Sequence, residues 1–280
     1  MRSQRSQFYF KKMGVKGLYS YLKPHRRTPN LISPCAVGID ALSVLYKYRG
    51  KLEEIFTLIR SLQEKGYTCV VVFDGKAPES KRAEVDDRRK KREDASRQAK
   101  ELRSYLESDA SQTLDAKGRG LLEKQIGQIE QGGAWHSTRE LRKEFQVGLT
   151  ELGIAYHKAD GEADDLLIEL YKKKEIGVVL SADMDFLVAG VDRVWVPGKE
   201  LEELCLSEIL RDEEISLAQL QDVAILSTIG SMYTQKAFSW IRHYGSIERI
   251  RVRHALSLSA EQIASLRGRF VYAACEGDDA

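Results

Sequence analysis

Four acidic residues stand at the ends of apolar runs. Asp40 closes CAVGID, Asp74 falls at the end of TCVVVFDG, and Asp183 and Asp185 follow the valines of GVVLSADMDFLVAG. An extended backbone sends residues i and i+2 to one face, so Asp183 and Asp185 are expected to point the same way. Like charges held that close repel, and desolvation at a sheet's end adds to the cost. In the plainer reading, Asp183 caps a following helix and Asp185 is solvated. The alternative is a bound hard cation, Mg²⁺ or Mn²⁺, which prefers carboxylate oxygen.

The elements around these acids favour the cation. LEEIFTLIRSLQEKG lies between the first two runs, with apolar residues at Leu52, Ile55, Phe56, Ile59 and Leu62 and a stop at Gly66. That spacing predicts a helix, and strand–helix–strand implies a right-handed parallel crossover. GIAYHK, the helical GEADDLLIELYKKK, IGVVLSAD and RVWV continue the alternation. The expected fold class is therefore α/β, with a mostly parallel central sheet flanked by helices. Ligands of such sheets sit beyond the strands' carboxyl ends. Asp40, Asp74, Asp183 and Asp185 all belong to that edge, and Glu162, Asp164 and Asp165 open a helix there. Helix-dipole complementation accounts for about one of those last three. For the convergent set, bound cations are the economical explanation; two Mg²⁺ about 4 Å apart would stabilise the attacking and leaving oxygens of a phosphodiester displacement.

At 280 residues the chain can bury a full core, and 44 basic against 42 acidic residues leave a formal charge of +2. Net charge is thus uninformative, but basic side chains crowd into Lys76–Arg103. The four cysteines are scattered without a C-x-x-C pair, which argues against structural zinc and a disulfide framework. A reducing intracellular location, nuclear or cytoplasmic and not secreted, is expected. No apolar run approaches the ~18–20 residues of a membrane span. Residues 1–12 read as a polar leader, expected to be disordered and unlike a signal peptide, and Met13 is a second candidate start.

The interval 78–150 reads as a helical insertion outside the core. KRAEVDDRRKKREDASRQAKELRSYLES mixes charges densely. It suits either a solvated helix laced with i,i+4 pairs or a basic element that touches phosphates. QGGAW (131–135) breaks the pattern as a loop tip or hinge. Beyond Leu206 helices are expected over 216–227 and 235–244, with another opening at GSIERI.

These stretches, in this order, resemble the flap endonuclease/XPG family of structure-specific 5′ nucleases, whose core is PIN-like. MGVKGLYSYLKP is similar to the family's amino-terminal signature, and VGIDALSVLY, VVVFDGKAPESKRAEVDDRR, GEADDLL and VLSADMDFLVAG to its metal-binding blocks. The resemblance implies a nuclease core over 13–205 with 78–150 as a helical arch, a reduced helix–hairpin-like DNA-binding region over 206–255, and a C-terminal helix and tail over 256–280. It implies two Mg²⁺ ions, replaceable by Mn²⁺, held by Asp40, Asp74, Glu162, Asp164, Asp183 and Asp185. Asp164 shares a face with Glu162 only if the first helical turn is irregular. Asp165 is better spaced but matches no family ligand. Tyr46 matches an aromatic that stacks a nucleotide near the cut, where the residue alone suggests core packing equally well. Lys81 and Arg88 match basic residues that polarise the scissile phosphate, and Gly14 matches a residue near the active site. Lys236 is expected to contact substrate.

Two departures from the family are visible. AILSTIGSMYTQKAF passes from Ile229–Gly230 directly to the next helix, without the usual Gly-x-Asp-Tyr acid and Gly-Ile-Gly-Pro hairpin. No clamp-binding tail precedes Ala280. The resulting expectation is a monomeric, metal-dependent nuclease cutting DNA near single-strand/duplex junctions, as flap endonuclease or 5′ exonuclease. The rival is a PIN-like scaffold that binds protein or RNA. A hydrolase of small phosphate esters is disfavoured by the basic insertion.

Overall fold

The computed structural model describes residues 15, 17–29, 35–76, 82–108, 111, 113–130, 135–229, 232–254, 256, 258–268 and 270. The leader, Gly14, Lys81, residues 131–134 of the expected hinge and the end of the tail lie outside these residues, as does the side chain of Arg88. The chain divides into two compact units, one spanning Ala77–Arg139 and the other Lys12–Lys76 with Glu140–Ala280.

The larger unit is built on a six-stranded sheet of order β3-β2-β1-β4-β5-β6. Its strands are β1 (Ala36–Asp40), β2 (Thr68–Phe73), β3 (Ala155–Lys158), β4 (Val178–Leu180), β5 (Arg193–Val196) and β6 (Glu202–Cys205). The first five run parallel, and β6 is antiparallel to β5. Val37, Ile39, Val71, Val72, Val178, Val179 and Leu180 are buried. Such continuous apolar runs suit strands covered on both faces by crossover helices.

In chain order the helices are α1 (Leu18–Tyr21), α2 (Ala41–Lys47), α3 (Leu52–Glu64), α4 (Arg82–Glu107), α5 (Ala116–Ile129), α6 (Arg139–Glu151), α7 (Ala163–Lys172), α8 (Asp185–Val188), α9 (Leu206–Asp212), α10 (Leu217–Ile229), α11 (Thr234–Tyr244), α12 (Ile247–His254) and α13 (Ala260–Arg267). α3 ends short of Gly66 as its periodicity predicts, burying Ile55, Phe56, Ile59 and Leu62. α6 lies within the interval read as insertion, yet Phe145 and Leu149 are fully buried in the larger unit. The Phe145 ring meets Phe56 at 5.7 Å and Phe73 at 5.5 Å.

β6 is a strand that local pattern does not announce. Its Glu203 is fully buried, a position tolerated only with compensating charge. Arg27 Nε (2.9 Å) and Arg193 Nε (2.6 Å) supply that charge, and Trp195 Nε1 donates at 3.2 Å. The free edge of β6 is paired by Arg27, whose N–H donates to the Glu203 carbonyl (3.1 Å) and whose carbonyl accepts in return (2.7 Å). α10 is apolar on most faces and buried, and its Asp222 accepts from Ile247 N–H (3.0 Å) and pairs with Arg267 (2.6 Å).

In the smaller unit, α4 is 26 residues, about 39 Å at helical rise. It carries the i,i+3 and i,i+4 pairs Arg89–Asp86, Lys91–Asp87 and Arg97–Asp94. It packs on α5 through buried Ala99, Leu106 and Ile126, with Arg103 paired to Glu130 at 2.7 Å.

Candidate active site

β2, β1 and β4 are adjacent and parallel, so their carboxyl ends share one edge, about 4.8 Å apart from strand to strand. Asp40 is the last residue of β1 and the N-cap of α2. One oxygen accepts from the Ser43 N–H (3.0 Å) and the other from the Ser181 hydroxyl (3.0 Å). Burial pushes its carboxyl up from 3.8 to about 6; the two hydrogen bonds pull it down, and the charges of Asp74 and Asp183 push it up. Those three carboxylates therefore share one electrostatic site.

Asp74 follows β2 and faces solvent, with the Ala163 N–H donating to it at 2.7 Å. This contact ties the end of β2 to the first turn of α7. Gly75 makes the approach possible: a Cβ there would stand 1.8 Å from the Ala159 carbonyl oxygen. The Gly75 N–H also donates to the Gly161 carbonyl (2.8 Å). Glu162 is the N-cap of α7 in extended conformation (φ −88°, ψ 144°), and Asp164 and Asp165 lie in the first turn. The spacing objection to Asp164 therefore lapses, because Glu162 stands outside the helix.

The geometry expected at Asp183 and Asp185 needs correction. β4 stops at Leu180, and Met184 has helical φ −84°, ψ −6° as the N-cap of α8. The backbone is a turn there rather than extended, so a shared strand face is not what relates the two acids. Asp183 accepts from the Asp185 N–H (3.0 Å) within the turn, while Met184 and not Asp183 is the N-cap of α8. Asp185, by contrast, is buried rather than solvated, and it accepts from the Val15 N–H (3.2 Å). The amino-terminal segment is thereby tied to the acidic edge.

Two serines were not singled out by sequence. The Ser181 hydroxyl, fully buried, bridges Asp40 and the Asp183 N–H (3.1 Å), and Ser43 Oγ accepts from the Ala182 N–H (2.7 Å). Their signal was faint: a small hydroxyl residue close behind each strand's end, where side chains close turns. Tyr46, near the end of α2, is 46% exposed, so core packing does not explain its ring. Lys236 is exposed on the outer face of α11, with its ammonium 4.9 Å from the Trp240 ring. Arg88 lies on α4, in the smaller unit.

The all-carboxylate donor set suits Mg²⁺ or Mn²⁺. Among the described residues, however, no three His, Cys, Asp or Glu side chains are gathered closely enough to hold a metal ion as they stand. Asp40, Asp74, Asp183 and Asp185 are each drawn to backbone N–H groups instead. The donors fit a hard cation by chemistry and strand position, and gathering them requires side-chain rotation.

The parallel sheet with an acidic carboxyl edge defines a PIN-like α/β core. The catalytic core of Rad2 (complex IV) matches it with a TM-score of 0.61 at 15% identity, over 92% of this chain and 85% of that one. Flap endonuclease-1 from Methanococcus jannaschii matches with a TM-score of 0.59 at 18% identity, over 92% and 84%. In sequence the chain is 28% identical to a flap endonuclease 1 of Trypanosoma brucei gambiense, over 84% of this chain and 66% of that protein. It is 29% identical to a flap endonuclease 1-A of Sorghum bicolor, over 76% and 57%. No protein-family model matches. The chain spans about half to two thirds of the length of the curated relatives it matches. Likeness in sequence and in fold bears out the resemblance to the flap endonuclease/XPG family.

Proposed function

We propose that this chain is a divalent-metal-dependent, structure-specific 5′ nuclease. It cuts DNA phosphodiester bonds near single-strand/duplex junctions, as flap endonuclease, 5′ exonuclease or both, and works as a monomer in replication, repair or recombination. The observation that carries the reading is the convergence of Asp40, Asp74 and Asp183 on the edge of three adjacent parallel strands, where burial of Asp40 and then the charges of Asp74 and Asp183 push its carboxyl up to about 6. A scaffold that binds protein or RNA would leave that cost without a use. The named relatives are flap endonucleases, and a Rad2 core of the same fold is described in complex with a DNA substrate.

Asp40, Asp74, Glu162, Asp164, Asp183 and Asp185 would hold two Mg²⁺ ions, with Mn²⁺ as a substitute. When bound, such ions supply Lewis-acid stabilisation of the attacking and leaving oxygens. Ser43 and Ser181 hold the Asp40 carboxylate in place, and the Ala163 N–H holds Asp74. Tyr46 offers an exposed ring for stacking a base, worth about 1–3 kcal/mol. Lys81 and Arg88 would polarise the scissile phosphate. The experiment is cleavage of end-labelled flap, nick, bubble and four-way DNA with Mg²⁺ and with EDTA. Mg²⁺-dependent release of 5′ products from junction substrates is expected, and DNA binding without cleavage of any substrate in Mg²⁺ or Mn²⁺ would favour the scaffold.

A further inference from the structure

A cleft of about 600 Å³ opens beside the loop joining β5 to β6. Arg26, Arg27, Lys47 and Lys199 line it against Glu200 and Glu202, so cations outnumber carboxylates. Its walls are firmly built. Arg26 Nη1 pairs with Glu202 (3.1 Å), Nη2 donates to the Tyr19 carbonyl (2.8 Å), and the guanidinium lies 3.7 Å from the Tyr19 ring centre. Arg27 is fixed by Glu203 (2.9 Å) and by Glu208. On the other side the Tyr48 hydroxyl donates to the Gly198 carbonyl (3.2 Å), tying the end of α2 to the loop. A Cβ at Gly198 would stand 2.8 Å from the Glu200 carbonyl oxygen, so the turn is specific to glycine.

Cationic capacity is left over in this frame. Arg26 Nε is buried with no hydrogen-bond partner among the described residues. Lys47 and Lys199 are exposed and make no ion pair among the described residues. With Glu202 committed to Arg26, Glu200 alone of the lining carboxylates opposes them.

The position of the cleft says what it takes. α2 has seven residues, so Lys47 lies about 10 Å from Asp40 along the helix axis, with the exposed Tyr46 ring beside it. A strand stacked as in a duplex advances about 3.4 Å per nucleotide and covers that distance in about three. Aromatic rings alternating with cations suit a single strand, whose bases stack while its phosphates are neutralised. We infer that the cleft is a phosphodiester-binding subsite for the substrate strand, about three nucleotides from the scissile bond, with Lys47 and Lys199 as its donors and Arg26 as a fixed charge in its wall. The inference rests on the nuclease reading of the acidic edge.

The test measures binding in EDTA, where cleavage plays no part. Labelled flap DNA is titrated with the wild type and with the Lys47→Ala/Lys199→Ala double variant at several salt concentrations. Single neutral methylphosphonate linkages are then walked through the strand. The double variant should bind several-fold more weakly, with the slope of log affinity against log salt reduced by about 1.4–1.8. One linkage near the third nucleotide should weaken the wild type and leave the double variant indifferent, and Lys47→Arg/Lys199→Arg should behave as wild type. Wild-type binding with equal slopes, or the same linkage sensitivity in both proteins, overturns the subsite and leaves the nuclease reading standing. A wild type that binds no DNA overturns both. Competition by inorganic phosphate with no sensitive linkage would make the cleft a small-anion site and overturn the strand assignment.

Discussion

Replacing Asp40 by Asn should stabilise the metal-free protein at neutral pH while abolishing cleavage. The Asp40 carboxyl is pushed from 3.8 up to about 6, first by burial and further by Asp74 and Asp183. A carboxyl raised in the folded state binds its proton more tightly there than in the unfolded chain. The stability that Asp40 contributes is therefore greatest below about pH 4 and is lost as pH rises through 6. A shift of that size corresponds to about 3 kcal/mol at pH 7.5. Asparagine keeps an acceptor for the Ser43 N–H but faces the Ser181 hydroxyl with an amide N–H in place of an acceptor, forfeiting about 1 kcal/mol of hydrogen bonding. The net gain should be about 1–2 kcal/mol at pH 7.5 and should vanish or reverse near pH 4. Urea unfolding of both proteins in EDTA at pH 4.5, 6 and 7.5 measures this, because groups remote from the acidic edge titrate alike in both and cancel in the difference, which then reports Asp40 with its repulsion from Asp74 and Asp183. Millimolar Mg²⁺ should then raise the wild type alone, through its binding to the folded state. A difference between the two proteins that does not change with pH would refute the reasoning.

Asp74→Ala or Asp183→Ala should abolish cleavage while sparing flap-DNA affinity, and wild-type rates in either variant would sink the metal assignment. Alanine at Lys81 and Arg88 should lower the single-turnover rate more than affinity; equal maximal rates at saturating enzyme would leave them only a diffuse electrostatic role. Gly75→Ala should destabilise the chain by roughly 2–4 kcal/mol and misplace Asp74, since its Cβ meets the Ala159 backbone at 1.8 Å; a thermal midpoint within a degree of wild type would contradict this. Arg193→Ala should cost roughly 3 kcal/mol by removing one of the two arginines that neutralise buried Glu203, and adding Glu203→Gln should recover part of the loss in urea unfolding.

Much of the site was legible because strand ends carry their own mark. The apolar runs before Asp40 and Asp74 and the helical period of Leu52–Leu62 give parallel crossovers, and parallel crossovers send those acids to one edge. Periodicity reports which face is buried and little about how a chain turns. The stretch after Leu180 therefore reads as extended from its sequence but turns into α8, and Asp185, solvated only in the plainer reading, is buried with the Val15 N–H donating to it. β6 escapes local reading for a related reason: a strand reading Glu-Glu-Leu-Cys looks exposed until Arg27, from distant sequence, and Arg193, from the neighbouring strand β5, neutralise Glu203.

The sequence by itself determined the α/β class and which residues could bind a hard cation, since these depend on residue type and local spacing alone. The tertiary structure decided which acids share a site, by placing β1 between β2 and β4 so that Asp40 feels Asp74 and Asp183. It also recruited Ser43 and Ser181, whose hydroxyls became part of the acidic edge once strands 141 residues apart were hydrogen-bonded neighbours. Strand order and burial arise from contacts between segments far apart in the chain, and no local pattern encodes a charge's distance to another strand.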